Sequence, residues 1–184
     1  MHNLPSRLHH SAVVSKDLGA SREFYEGIMG LPLVATWCES NDSLGEFCHA
    51  FFGLEDDSAV ALFQFADHEK YQALRKPDTL SPFHHLALAG TTQVQDNVRS
   101  RADAAGIAHY TINHGYCVSL YLDDPDGHKV EITCDTQEAT DNESLIRNRA
   151  SEELNRWLSG DHTTNNTLRS ATAEQGMPTP KKGK

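Results

Sequence analysis

Nowhere in the 184 residues does an apolar run approach the roughly 18 that a membrane helix needs, and the opening MHNLPSRLHH lacks the basic-then-apolar design of a secretory leader. A soluble cytoplasmic protein is the expectation. Basic charge is also short, with 16 Lys and Arg against 26 Asp and Glu and a formal net charge of −10. The deficit is local: residues 1–135 hold 19 acidic against 9 basic side chains, whereas residues 136–184 hold 7 of each. Such a body repels polyphosphate backbones and gains nothing from an anionic membrane surface, which argues against nucleic-acid and membrane partners. Cysteine is scarce too. Cys38, Cys48, Cys117 and Cys134 form no Cys-x-x-Cys pair, so they are expected as reduced, partly buried thiols rather than a disulfide or zinc framework.

What the chain does have is histidine, 11 in all, the commonest metal ligand and the side chain that titrates near neutrality. Apolar patterning predicts a strand over 8–14, a helix over 21–29 that Gly30 stops, and strands over 33–37, 46–52 and 59–65. After a polar connector, 68–82, the order begins again. A strand over 83–89 precedes a helix over 92–105 stopped by Gly106, then strands over 107–112, 117–122 and 128–133, the last two joined by Asp-Asp-Pro-Asp-Gly. Both halves open on a His-His pair, Leu8-His9-His10 and Phe83-His84-His85, 75 residues apart. The repeat predicts an α+β fold of two tandem βαβββ modules, about 8–65 and 83–134, forming a cupped mixed sheet within a domain over 1–135. Beyond it, over 136–160, Asp141 is placed to cap a helix over 143–158 with Leu145, Ile146, Leu154, Trp157 and Leu158 as its apolar stripe. Residues 161–184, rich in Thr, Asn, Gly, Pro and Lys, are expected to be a disordered tail.

Because alternate strand residues share a face, only one His of each pair can enter a given cup. Glu131 is a carboxylate in a strand that otherwise reads as core, and it needs a partner. One reading is a metal ion: two histidines and a carboxylate from separate strands occupy one face of an octahedron and leave three positions open, which suits Fe(II) and also Mn(II). The plain reading is that the histidines cap strands and Glu131 pairs with a Lys or Arg. Tyr121 reads equally as a packed strand aromatic, and His114 as a turn residue beside Gly115.

His10-Ser-Ala-Val-Val-Ser-Lys-Asp17-Leu18, Ser21-x-x-Phe24-Tyr25 and Gly30-Leu31 resemble the opening of the vicinal oxygen chelate superfamily, whose unit is a βαβββ module. His85-Leu-Ala-Leu and Tyr121-Leu-Asp-Asp-Pro125-Asp-Gly127-His-Lys-Val-Glu131 resemble its later landmarks, so the likeness covers 8–134. It implies His10, His85 and Glu131 as metal ligands. The four-ligand glyoxalase I class is similar but carries a further Glu in the last strand of the first module, where Leu62 is read to stand here. Within the superfamily, Asn113-His114, Leu120-Tyr121, Asp124-Pro125-Asp126-Gly127 and Glu131 resemble the signature of type I extradiol ring-cleavage dioxygenases.

That resemblance implies an Fe(II)-dependent dioxygenase that cleaves a catechol-type aromatic diol with O2, with His114 as acid/base and Tyr121 orienting oxygen by its hydroxyl. The acidic body favours a neutral or cationic diol. The further acid/base histidine of the two-domain members falls near residues 57–59 in this sequence, where none stands; His49 or His68 are the candidates to replace it. A homo-oligomer is compatible with the fold. The rivals are another metal-dependent member of the superfamily, such as a lyase, epimerase or thiol transferase, and a non-enzymatic cup of the bleomycin-resistance kind.

Overall fold

The computed structural model describes residues 7–75 and 83–168. Strand β1 (His10–Val14) is followed by helix α1 (Leu18–Arg22), which Asp17 caps by accepting from the backbone N–H groups of Gly19 and Ala20. The helix runs on as a π-helical turn, Glu23–Ile28, that buries Phe24 and Tyr25. Strands β2 (Leu33–Asn41), β3 (Gly45–Gly53) and β4 (Ala59–Phe65) complete the first half. The second half repeats the order as β5 (His85–Ala89), α3 (Thr92–Ala105), β6 (His109–Asn113), β7 (Cys117–Asp123) and β8 (Lys129–Asp135). Two four-stranded mixed sheets result, ordered β1-β4-β3-β2 and β5-β8-β7-β6, which is the tandem βαβββ arrangement anticipated from the repeat. In each, the first strand lies parallel to the last.

Local sequence explains the ends of these elements. Thr91 caps α3 by accepting from the Val94 N–H, and Gly106 stops it in the left-handed conformation at φ 69°, which costs glycine little. Inside α3, buried Gln95 points its amide at the sheet, where Nε2 donates to the carbonyls of Val118 and Ile132, each at 2.8 Å. Three expectations need amendment. The connector holds a short helix, α2 (His68–Leu74), capped by Asp67; the segment before 143 holds another, α4 (Gln137–Asp141), capped by Thr136. Asp141 therefore ends α4 and does not cap α5 (Glu143–Leu158), whose N-cap is Asn142. Of the expected tail, residues 161–168 are described and residues 169–184 lie outside the described part.

One apolar cluster unites the halves. Leu62 and Val60 of β4, Leu120 and Leu122 of β7, and Val130 and Ile132 of β8 join Phe24, Tyr25, Val98 and Ala102 from the helices. Both sheets thus turn their helix-covered faces inward. The turn between β7 and β8 clasps the two halves together: Asp126 accepts from the Lys16 N–H (3.0 Å) and the Tyr71 hydroxyl (2.8 Å), and buried Asp124 from the Tyr25 hydroxyl (3.0 Å). Arg101 adds a 2.6 Å hydrogen bond to the Ile28 carbonyl.

Candidate functional site

The chemistry-bearing residues stand on the sheet faces turned away from that core. On the second sheet, β5 runs parallel to β8 with His85 opposite Lys129 and Ala87 opposite Glu131, while Tyr121 of β7 lies opposite Glu131 from the other side. His85 Nε2 comes within 2.9 Å of Glu131 Oε2, and Glu131 is only 5% exposed. Lys129, on the same strand face, does not serve Glu131: its Nζ is 2.6 Å from Asp123. His85 Nδ1 is 2.9 Å from the Phe83 carbonyl, which can only accept, so Nδ1 carries a proton and Nε2 is the nitrogen that faces the carboxylate. A carbonyl holding the far nitrogen in this way is the ordinary support of a metal-binding imidazole.

A second hydrogen-bonded pair stands beside the first. Burial, then the negative charge of Glu131, push the Tyr121 phenol well above the usual tyrosine range, so it is a permanent O–H donor. The Tyr121 oxygen lies 2.9 Å from His114 Nε2, and the Tyr121 ring stacks on Tyr110 with centroids 5.0 Å apart. Tyr121 thus stands between two neighbours, His114 through its hydroxyl and Glu131 across the β7–β8 pair. His114 is held in turn from outside the modules, because Asn166 Nδ2 donates to its carbonyl at 2.8 Å.

The matching face of the first sheet carries His10. Its Nδ1 is 2.8 Å from His9 Nδ1, and its ring meets those of Phe51 (5.5 Å) and His49 (6.0 Å) edge-on. His49 stacks on Phe63 at 3.6 Å, and its buried Nε2 has no hydrogen-bond partner among the described residues. Burial, followed by the neighbouring His10, lowers its pKa and keeps it neutral. His68, the other candidate, is on α2 instead, stacked on Tyr71 and 2.9 Å from Gln72. Register also corrects the place of the missing fourth carboxylate. His10 stands opposite Ala59 as His85 stands opposite Lys129, so the counterpart of Glu131 is Ala61; Leu62 points into the core.

The structure therefore brings His85, Glu131, Tyr121 and His114 together, and separately His10 with His49. It does not bring His10 to the His85–Glu131 pair, and among the described residues no group of three or more His, Cys, Asp or Glu is placed to hold one metal ion. The reason is architectural: the shared core lies between the two sheets, and each half-site is on the far side of its own sheet.

Comparison with known proteins agrees with the fold. The family model described as the Glyoxalase/Bleomycin resistance protein/Dioxygenase superfamily matches residues 7–132. A Synechocystis protein named probable lactoylglutathione lyase is 28% identical over 129 residues, covering 67% of this chain and 91% of its own length. The lactoylglutathione lyase of Neisseria meningitidis is 24% identical over 130 residues, covering 68% and 88%. Among solved structures, a glyoxalase/dioxygenase from Nostoc punctiforme superposes with a TM-score of 0.51 at 26% identity, covering 72% of this chain and 92% of that one. A manganese-bound fosfomycin resistance protein from Listeria monocytogenes gives 0.52 at 18% identity, covering 73% and 97%, and shares the fold. The family match ends at residue 132, ahead of α5.

Proposed function

This chain belongs to the glyoxalase/bleomycin resistance protein/dioxygenase superfamily, and from that membership we propose that it is a divalent-metal enzyme of the redox-neutral kind, a lyase, epimerase or thiol transferase. Its substrate is a small molecule that presents two neighbouring oxygens. The observation that carries this reading is the buried Glu131 carboxylate set against an imidazole whose far nitrogen is already held by a carbonyl. The residues fit a cation: a carboxylate 95% withdrawn from water requires a positive partner, and the basic side chain nearest in register is engaged elsewhere. The names of the sequence relatives support the redox-neutral class.

His85 and Glu131 would supply two donors, and His10 of a second copy of the chain the third, since the His10 of the same chain is on the far side of the core. A divalent ion there supplies Lewis acidity toward the substrate oxygens. The remaining work falls to side chains. Tyr121 presents its O–H beside the carboxylate, His114 Nε2 stands one hydrogen bond away to exchange a proton, and neutral His49 stands beside His10. Ala61 in place of a fourth carboxylate leaves proton abstraction to these histidines.

A second reading is favoured by one observation, the His114–Tyr121 hydrogen bond, which joins the two residues that resemble the extradiol signature. It makes the chain an Fe(II) enzyme that opens a catechol-type diol with O2. One experiment separates the two. Chain loaded anaerobically with Mn(II), Ni(II) or Fe(II) is assayed for bound metal, given thiol adducts of 2-oxoaldehydes, epoxides and catechols, and then exposed to oxygen. Turnover before oxygen supports the redox-neutral reading, and oxygen uptake with a catechol supports the second. Failure of the wild-type chain to bind metal, or undiminished binding in His85→Ala and Glu131→Ala, overturns both.

A further inference from the structure

We propose that Cys38 and Cys48 are an oxidation-sensitive dithiol, closing to a disulfide across the β2–β3 hairpin when a hydroperoxide reaches it. The two residues are direct cross-strand partners, and their sulfurs already lie 3.6 Å apart. Directly opposed residues of an antiparallel pair have Cα atoms roughly 4.5–5.5 Å apart, inside the range of a disulfide, so closure needs side-chain rotation and a sulfur shift of roughly 1.5 Å. No strand has to move.

The other thiols lack this relation. Cys117 is paired with Asp135, and Cys134 with Val118, so the two cysteines of the second half point to opposite faces of their sheet. Cys117 is also buried, whereas Cys38 is exposed and Cys48 half-buried. A surface groove of about 560 Å³ runs along the pair, with Glu39, Glu46 and Gln64 among its walls. Two carboxylates at the groove repel anionic disulfides and leave a neutral hydroperoxide as the oxidant.

The exposed Cys38 attacks first. Its thiolate sulfur takes the terminal oxygen of ROOH, the O–O bond breaks, ROH leaves with one proton, and the sulfur becomes a sulfenic acid. Cys48 sulfur then displaces the hydroxyl, forming the S–S bond and releasing water; overall, two thiols and ROOH give a disulfide, ROH and water. Burial raises the Cys48 thiol above the usual range, which suits it to the second, resolving step. The consequence is local stiffening of the hairpin that carries His49, which pairs with Trp37 on its other face and meets the His10 ring there.

The test uses the whole reduced chain treated with hydrogen peroxide. Thiol titration in denaturant is expected to fall from four groups to two, with an intact mass lower by two hydrogens and full recovery with dithiothreitol. Cleavage after glutamate, which separates Cys38 from Cys48 at Glu39 and Glu46, is expected to recover a linked pair of peptides. Cys38→Ser and Cys48→Ser, each checked for native circular dichroism, should form no intramolecular link. Four remaining thiols, a link through Cys117 or Cys134, or a link only between chains would overturn the proposal. None of these readouts depends on a bound metal.

Discussion

The hydroxyl of Tyr121 lies 2.9 Å from His114 Nε2 on a residue paired in register with Glu131, and its ring packs independently on Tyr110. Tyr121→Phe therefore removes the hydroxyl without removing the packing. Metal affinity is expected to stay within a few-fold of wild type while turnover falls about 10²-fold, the usual scale of a lost proton-transfer partner; equilibrium dialysis and steady-state rates measured on the same preparation check both halves. The pH dependence follows from the same burial. Tyr121 and Tyr25 have folded pKa values held above the ordinary phenol value, the second also by hydrogen bonding to Asp124. Above pH ~10 the unfolded chain releases these protons and the folded chain retains them, so the folded state binds more protons and stability falls as pH rises. Urea midpoints are expected to drop between pH 9 and 11, and Tyr121→Phe should flatten that slope. An unchanged slope in the variant would remove Tyr121 as its source.

At the scale of elements, the strand-helix-strand order was legible because apolar alternation and the Gly30 and Gly106 stops are local signals. The paired His-His openings also announced the repeat. What could not be read was anything set by pairing: the shift from Leu62 to Ala61 needs the β1–β4 register, which no local pattern encodes. Short α2 and α4 escaped notice because each is one or two turns with no buried residue, and their caps Asp67 and Thr136 sit in stretches that read as loop. Gln95 was hidden by its polarity, since a Gln on a helix reads as a solvent-facing residue when its partners, Val118 and Ile132, are 23 and 37 positions away. It is the fastening of α3 to the sheet. Gln95→Ala leaves those carbonyls without the amide and opens a cavity, and is expected to cost about 2 kcal/mol in urea denaturation with the same slope. A change below a few tenths would show that the sheet holds α3 by apolar contact alone.

At the scale of the whole molecule, one core shared by two sheets settles where the half-sites face. Each sheet has one covered and one open side; the covered sides meet around Leu62, Leu120 and Val130, so His10 and the His85–Glu131 pair look outward in different directions. Large apolar groups are exposed near them, Trp37 at 60% on the first sheet, paired across the strands with His49, and Phe83 at 74% just ahead of β5. A second copy related by a twofold axis can set its first sheet over the second sheet of its neighbour, and the symmetry then makes two equal sites, each drawing His10 from one chain and His85 with Glu131 from the other. This assembly has a genetic signature. His10→Ala and Glu131→Ala each abolish high-affinity metal binding in their own homodimers. Refolded together in equal amounts, half the dimers are mixed, and each mixed dimer has one site with both substitutions and one with neither, so about a quarter of all sites should regain metal. Sites built within one chain regain none, and bound metal per chain in the refolded mixture decides between the two.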